Sequence, residues 1–267
     1  MQPILAVRNL GKCFNLEAGF FARFGQFVHA VNGVSFALSR GETYGLVGES
    51  GCGKTTTARL VMGMYGATAG EVIYTTAEGV SLDVCRATKS QLRSYRGNIK
   101  YIFQDPARSL NPRLTVRDIL LSGYRWSPLW PGRAAALEKA AEILEEVGLS
   151  GADMARRPQD FSGGQRQRIS IARALLMRPE ILVCDEVVSA LDVSIQGQIL
   201  NLLLDLREKW GISVIFITHD LKIACYFCDR IAVMRGGTIV EEAPAAELYR
   251  TARHPYTREL FAGMERR

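Results

Sequence analysis

The chain has 267 residues, of which 48% are apolar and 22% charged, so it can bury a substantial core and has the composition of an ordinary globular protein. Its formal net charge is +6, for which solubility is the simplest explanation. The basic residues are spread along the chain, which argues against a nucleic-acid partner and leaves an anionic membrane surface as the functional alternative. No apolar run approaches the roughly 18–20 residues that span a bilayer, and the N-terminus lacks a signal-peptide pattern, so we expect a cytosolic protein.

Strand-sized apolar runs alternate with helical patterns, which predicts an α/β fold with a largely parallel core sheet. The predicted strands are Val34–Leu38, Thr43–Val47, Tyr101–Phe103, Ile181–Cys184, Ser213–Thr218, Ile231–Met234 and Thr238–Val240. The runs Ile181–Cys184 and Ser213–Thr218 are continuously apolar, as expected for strands buried on both faces. The last two predicted strands flank Arg235-Gly236-Gly237, which indicates a hairpin.

Helical patterns follow the second strand, over Lys54–Met64, and dominate the middle of the chain from about Pro106 to Met177. Within this middle block the segment Arg133–Val147 is predicted to be an amphipathic helix that stops before Gly148. Its apolar residues recur at helical spacing at Leu137, Ala141, Leu144 and Val147. The segment Asn15–His29 has no clear period, and we interpret it as a long loop or hairpin in an N-terminal lobe.

Six cysteines are scattered along the chain, at positions 13, 52, 85, 184, 225 and 228. Only Cys225 and Cys228 have a spacing typical of metal ligands, and no second pair accompanies them. Packing within a helix is therefore favoured over a zinc site. Free thiols fit a reducing compartment.

The segment Gly48–Thr55 reads Gly-Glu-Ser-Gly-Cys-Gly-Lys-Thr and fits the phosphate-loop pattern between a strand and a helix. Its glycines allow successive N–H groups to turn inward as an anion nest at a helix N-terminus. Lys54 is expected to reach the β- and γ-phosphates of a nucleotide, and the Thr55 hydroxyl to ligate Mg²⁺. The nest is also expected to lower the pKa of Cys52, so that alkylation would block ATP hydrolysis. The predicted nucleotide-binding residues here are Gly48, Glu49, Ser50, Gly51, Cys52, Gly53, Lys54, Thr55 and Thr56.

Four polar residues follow predicted core strands, where parallel sheets bind phosphates. Asp185 is expected to hold Mg²⁺ through water, and Glu186 to polarise the water that attacks the γ-phosphate. Gln104 is expected to contact both the metal and this water. His219, after the strand Ser213–Thr218, is expected to contact the γ-phosphate.

Taken in order, these motifs resemble those of ATP-binding cassette (ABC) ATPases along essentially the whole chain. The phosphate loop resembles Walker A, and Ile181–Asp185 resembles Walker B. Gln104 matches the Q-loop glutamine, Ser189–Asp192 the D-loop and His219 the switch histidine. Phe14 is placed like the aromatic residue that stacks on adenine in this family.

The segment Phe161–Gln165 reads Phe-Ser-Gly-Gly-Gln and resembles the signature motif of the family, with Phe where Leu is commoner. In that family the signature reaches the ATP held by a second subunit. The resemblance thus implies that Ser162, Gly163, Gly164 and Gln165 contact a partner's nucleotide from a helix N-terminus. It predicts a head-to-tail pair of ATPase subunits, identical or sister chains.

The resemblance implies a P-loop NTPase fold with a RecA-like core sheet, an N-terminal antiparallel β lobe and an inserted helical subdomain. We expect the α/β core and β lobe over residues 1–105 and 178–250, the helical signature subdomain over 106–177, and a tail over 251–267.

Four further segments resemble the peptide and nickel importer ATPases of this family: Phe103–Pro106, Ser109–Val116, Ser189–Gln196 and His254–Thr257. The resemblance implies an ATPase subunit that energises import of peptides, nickel or a related small solute. The expected partners are two transmembrane permease subunits and, indirectly, an extracytoplasmic solute-binding protein, with the chain peripheral on the cytoplasmic face of the inner membrane. The stretch Gln104–Pro112 is expected to dock a permease helix.

The alternative function is that of a soluble non-transport ABC ATPase, such as an accessory subunit of a phosphonate-degrading complex. ABC ATPases of DNA repair and chromosome organisation are excluded, because the interval from Lys54 to Ser162 leaves no room for their long coiled coils.

Overall fold

The computed structural model describes residues 2–15, 27–105 and 109–265. The chain forms two compact units: Met1–Tyr95 with Ser213–Arg267 is the first unit, and Arg96–Ile212 is the second. Its strands are β1 Leu5–Asn15, β2 Phe27–Leu38, β3 Thr43–Val47, β4 Ala69–Thr75, β5 Ser81–Asp83, β6 Ile99–Ile102, β7 Ile181–Asp185, β8 Ser213–Thr218, β9 Arg230–Arg235 and β10 Thr238–Pro244. Its α-helices are α1 Lys54–Val61, α2 Lys89–Asn98, α3 Val116–Tyr124, α4 Arg133–Glu146, α5 Gly163–Leu175, α6 Val193–Trp210, α7 Leu221–Phe227, α8 Ala245–Thr251 and α9 Pro255–Glu265. Over these described ranges, every helix is too short or too polar to cross a bilayer.

The first unit contains an antiparallel sheet with the strand order β2-β1-β4-β5, which confirms the predicted N-terminal β lobe. Strand β2 extends back to Phe27, well before the predicted start at Val34, because it pairs with β1 as far as Asn15↔Phe27. The two ends of the predicted loop or hairpin over Asn15–His29 are therefore paired strands. Residues 16–26 of that segment lie outside the described residues.

The first unit also contains β3, which pairs in parallel with both β8 and β9, and the antiparallel hairpin of β9 and β10. Every residue of β3 and β8 is buried, which explains why β8 reads as a continuous apolar run. Helix α1 follows β3 and ends at Val61, three residues before the predicted Met64. The reason is local: Met62 caps the helix, and Gly63 has a left-handed φ of 63°.

The second unit contains β6 and β7, which pair in parallel from Ile99↔Ile181 to Ile102↔Cys184. The strand predicted over Tyr101–Phe103 is thus shifted toward the N-terminus. Phe103 lies outside it with 40% of its surface exposed, and its ring packs on that of Tyr101 at 4.7 Å.

Helix α4 of the second unit confirms the predicted amphipathic helix, but its buried face is rotated from the predicted one. Its fully buried side chains are Ala136, Ala140, Ile143 and Leu144, followed by Val147 at the C-cap. Leu137 and Ala141, which were expected inside, lie half-exposed at the edge of this face. Ala136 and Ala140 are completely buried, so the buried face runs through these two alanines. The predicted subdomain boundaries at 105, 177 and 250 remain predictions.

Candidate functional site

The phosphate loop lies between β3 and α1 in the first unit, and two of its glycines are required by close approach of other backbone. A Cβ atom at Gly48 would lie 2.2 Å from the carbonyl oxygen of Met234. Gly53 has a left-handed φ of 107°, and a Cβ there would lie 2.3 Å from the carbonyl oxygen of Ala30. A side chain at Gly48 would push the loop off β9, and one at Gly53 would push it off β2. The loop shape is thus fixed by packing as well as by glycine freedom.

Lys54 is the first residue of α1, and only 4% of its surface is exposed. Its ammonium donates hydrogen bonds to the carbonyl oxygens of Gly48 at 2.6 Å and Glu49 at 2.8 Å. The lysine thus folds back over its own loop, which places a nearly desolvated cation beside the N-terminus of a helix. This arrangement suits an anion with several oxygens, such as a phosphate.

Cys52 lies inside the loop, with its sulfur 3.8 Å from the Lys54 ammonium nitrogen. Burial raises the pKa of the Cys52 thiol, and this outweighs the opposite effect of Lys54. The expectation that the loop lowers this pKa is therefore wrong, because only 7% of the surface of Cys52 is exposed and the cost of burying a thiolate dominates. Cys52 is a protonated packing residue of the loop at neutral pH.

The other predicted residues of the first unit lie on three of its elements. Phe14 is half-buried on β1, with the Lys12 ammonium 5.1 Å from its ring centre and the edge of Tyr65 at 5.8 Å. His219 is exposed directly after β8, beside Asp220, which caps helix α7. Thr55 and Thr56 are half-buried in the first turn of α1.

The second unit brings three predicted residues together at the end of β7. Asp185 is the last residue of the strand and is buried, and Glu186 follows it with a φ of 50°, a region that few non-glycine residues occupy. The carbonyl oxygen of Glu186 accepts hydrogen bonds from both the N–H and the hydroxyl of Ser189, which supports this backbone conformation. The Gln104 amide nitrogen donates to the Glu186 carboxylate at 2.8 Å. Sequence reasoning thus selected a pair of side chains that are in contact.

Tyr101 is a residue of this cluster that the sequence analysis used only as part of a strand. Its hydroxyl donates a hydrogen bond to the carboxylate of Asp185. The parallel register of β6 and β7 sets Tyr101 opposite Val183, two residues before the aspartate. The sequence signal that could have identified Tyr101 as a site residue is its hydroxyl, which is uncommon in an apolar strand and lies three residues before Gln104. The bond fixes the orientation of the Asp185 carboxylate.

The signature segment forms the start of helix α5 in the second unit. Ser162 is the exposed N-cap residue, and its hydroxyl accepts a hydrogen bond from the Gln165 N–H at 3.3 Å. In return the Gln165 side chain accepts from the Ser162 N–H at 2.9 Å, which completes a capping box. Ser162 itself is exposed, so an anionic ligand can approach this helix N-terminus from solvent.

Gly164 in the same turn packs against the start of helix α6. A Cβ at Gly164 would lie 2.6 Å from a methyl carbon of Ile195, whereas a Cβ at Gly163 would meet Leu191 at an ordinary 3.4 Å. The second glycine of the motif is therefore needed for packing within the second unit, next to the predicted D-loop. The first glycine is not under this constraint.

Gly164→Ala is expected to lower the free energy of unfolding by about 1–3 kcal/mol, the usual cost of overpacking. Gly163→Ala is the matched control, and its effect is expected within about 0.5 kcal/mol. Chemical denaturation measures both. In a double-mutant cycle, Ile195→Ala should relieve part of the cost of Gly164→Ala, whereas strict additivity would show that this contact does not constrain the glycine.

The profile of the ABC transporter family matches residues 31–189. The chain is 46% identical over 263 residues to a protein named glutathione import ATP-binding protein GsiA from Escherichia coli (strain K12), and equally to its counterpart from Shigella flexneri. Each match covers 98% of this chain and 41% of the relative, so the chain spans about two fifths of the length of these curated relatives.

Solved structures share the fold. The ATP-binding cassette MJ0796, in a dimeric post-hydrolysis state bound to ADP and phosphate, is 26% identical, with a TM-score of 0.76 over 90% of this chain and 98% of that one. The fold of cbiO1 from Clostridium perfringens, part of the ABC transporter complex cbiONQ, matches with a TM-score of 0.78 at 23% identity, over 100% of this chain and 96% of that one. With the family profile covering more than half of its residues, the chain belongs to the ABC transporter family.

Proposed function

We propose that this chain binds and hydrolyses ATP and thereby energises an importer of peptides or a related small solute. The observation that carries the proposal is the phosphate loop with its buried Lys54 ammonium, beside a helix N-terminus. The Glu186 and Gln104 pair supports hydrolysis, because it presents an oriented carboxylate after an apolar strand. The relatives are named for import of glutathione, which is a tripeptide, and this favours peptide import over nickel and over the non-transport alternative.

The proposed roles follow the chemistry of the side chains. Lys54 and the loop amides hold the phosphates, and Phe14 stacks on adenine. Glu186 accepts a proton from the attacking water. The hydrogen bond from the Gln104 amide keeps the Glu186 carboxylate oriented toward this water. His219 donates to the γ-phosphate.

The oxygen donors Thr55, Gln104 and Asp185 suit Mg²⁺, which prefers hard oxygen ligands. When bound, the ion would neutralise charge on the phosphates. The bond from Tyr101 holds the Asp185 carboxylate in one orientation before any ligand arrives.

The proposed assembly pairs this chain with a second ABC ATPase subunit, whose nucleotide is contacted by Ser162, Gly163, Gly164 and Gln165. Two transmembrane permease subunits complete the transporter at the cytoplasmic face of the inner membrane, and an extracytoplasmic solute-binding protein delivers the cargo. The dimeric solved cassette MJ0796 supports the pairing. Co-purification from membranes should recover a permease, and recovery of degradation enzymes instead would favour the non-transport alternative.

Lys54→Ala is expected to raise the Kd for ATP at least about tenfold, since charge-assisted hydrogen bonds to a phosphate contribute about 1.5–3 kcal/mol. Equilibrium titration of the purified chain with a fluorescent ATP analogue measures this. Lys89→Ala, at the exposed start of α2, removes an equal charge and should bind as the wild type does. An unchanged Kd in Lys54→Ala would remove the phosphate loop from nucleotide binding.

A further inference from the structure

The His-Pro-Tyr segment near the C-terminus reaches the phosphate loop through one side chain. Tyr256, in the first turn of α9, is 2% exposed, and its phenol oxygen accepts a hydrogen bond from the backbone N–H of Glu49 at 3.1 Å. The residues are 207 positions apart in the chain and both lie in the first unit. Burial raises the pKa of Tyr256, so the phenol is neutral under physiological conditions.

Tyr256 is held in place through both its ring and its backbone. The Arg235 guanidinium lies 4.7 Å from the ring centre, which adds a cation–π contact from the end of β9. The imidazole of His254 accepts the N–H of Tyr256 at 3.2 Å through its Nδ1 atom. The carboxylate of Glu241 on β10 accepts the N–H groups of Arg253 at 2.6 Å and His254 at 3.2 Å. The segment is therefore docked on the β9–β10 hairpin before it reaches the loop.

The same hairpin also contacts the far side of the phosphate loop. The N–H of Gly237 donates to the carbonyl oxygen of Cys52 at 2.9 Å. Inside the loop, the N–H of Cys52 donates to the carbonyl oxygen of Glu49 at 3.3 Å, and Lys54 donates to that same oxygen. The Glu49 residue is thus held at its carbonyl by the loop and at its N–H by Tyr256.

We propose that Tyr256 is a positioning residue that preorganises the phosphate loop for nucleotide through the Glu49 N–H. The tyrosine touches no ligand in this role. Together with the bond from Lys54 to the Gly48 carbonyl oxygen, it holds the peptide group between Gly48 and Glu49 at both its oxygen and its N–H, which restricts the loop to one conformation. This inference rests on the proposed nucleotide binding, and it gives the His-Pro-Tyr segment a function within its own chain. The docking of the His-Pro-Tyr segment and the ordering of the phosphate loop are coupled through the hydrogen bond between Glu49 and Tyr256. A substitution that weakens the docking should therefore also increase the mobility of the loop.

Tyr256→Phe tests the inference because it removes one oxygen and keeps the ring. Hydrogen exchange of the Glu49 amide in the nucleotide-free chain should accelerate about threefold to tenfold, as expected for the loss of one neutral hydrogen bond. The Kd for a non-hydrolysable ATP analogue should rise by a similar factor. The matched control is Tyr249→Phe on the preceding helix, a tyrosine with 60% of its surface exposed, which should change neither measurement.

Arg235→Gln is a second variant that keeps the hydroxyl and removes the cation over the ring. It should accelerate hydrogen exchange at the Glu49 amide by about twofold, because the cation–π contact is weaker than the hydrogen bond that Tyr256→Phe removes. The inference is overturned if Tyr256→Phe leaves exchange at Glu49 and the Kd unchanged. A general acceleration across the first unit, with a lowered Tm, would assign Tyr256 a purely structural role and overturn it as well. If the wild type and Lys54→Ala both fail to bind nucleotide, the proposed function is wrong. Hydrogen exchange at the Glu49 amide still tests separately whether Tyr256 holds the phosphate loop in place.

Discussion

Replacing Glu186 with glutamine is expected to lower ATP turnover by about 10²–10⁴, the usual contribution of a general base. The carboxylate follows directly after β7 and receives a hydrogen bond from the Gln104 amide at 2.8 Å. Glutamine has nearly the same shape but cannot accept a proton from water at neutral pH. The backbone at this position, with its φ of 50°, is supported by Ser189 and does not depend on the side-chain charge. The substitution should therefore change chemistry and leave the fold intact.

The same variant should still bind ATP and should accumulate as a nucleotide-bound dimer, because the bound γ-phosphate persists when hydrolysis is slow. Steady-state phosphate release measures the turnover, and light scattering with and without ATP measures the dimer. Glu138→Gln, exposed on helix α4, removes an equal charge and should hydrolyse ATP at the wild-type rate. Wild-type turnover in Glu186→Gln would exclude this residue as the base.

The phosphate loop, the carboxylates after β7 and the signature helix were predictable from sequence because each depends on a short stretch of chain. Gly48–Thr55 fits a pattern in which residue types and spacing together specify a loop conformation. The capping box of Ser162 and Gln165 likewise follows from positions three residues apart. Buried strands such as β8 were visible as continuous apolar runs.

Contacts between distant segments were not predictable in the same way. Tyr101 meets Asp185 only because β6 and β7 pair in one register, and Tyr256 reaches Glu49 only because α9 docks on a hairpin. A single-sequence pattern predicts which residues stand at the ends of core strands, but it does not fix the strand register or the helix docking that brings Tyr101 and Tyr256 to their partners. The pKa of Cys52 was mispredicted for a related reason: the sequence reveals the neighbouring lysine, whereas the burial that outweighs it arises from tertiary packing.

Ser162→Arg is expected to remove ATP hydrolysis while the Kd for ATP stays near the wild-type value. Ser162 is exposed at the N-terminus of α5, in the second unit, and the resemblance to ABC ATPases assigns it to the nucleotide of a partner subunit. If the proposed pairing holds, a guanidinium there would occupy the place of the partner's γ-phosphate, and it would oppose the helix dipole. Loss of one such set of preorganised donors typically lowers turnover by about 10²–10³. Binding by the isolated chain relies on its own phosphate loop and should be spared.

The substitution also breaks a capping box, so its effect on stability needs a separate control. Ser150→Arg breaks the corresponding box of Ser150 and Asp153, which caps the short helix Gly151–Ala155 of the same unit. Both variants should lose about 0.5–2 kcal/mol of stability, and only Ser162→Arg should lose hydrolysis. If Ser162→Arg instead abolishes ATP binding by the isolated chain while Ser150→Arg binds normally, the signature serves its own chain's nucleotide and the pairing in trans is wrong. If Ser162→Arg still binds ATP but neither hydrolyses it nor forms the ATP-dependent dimer, each nucleotide site is completed by the signature segment of the partner subunit.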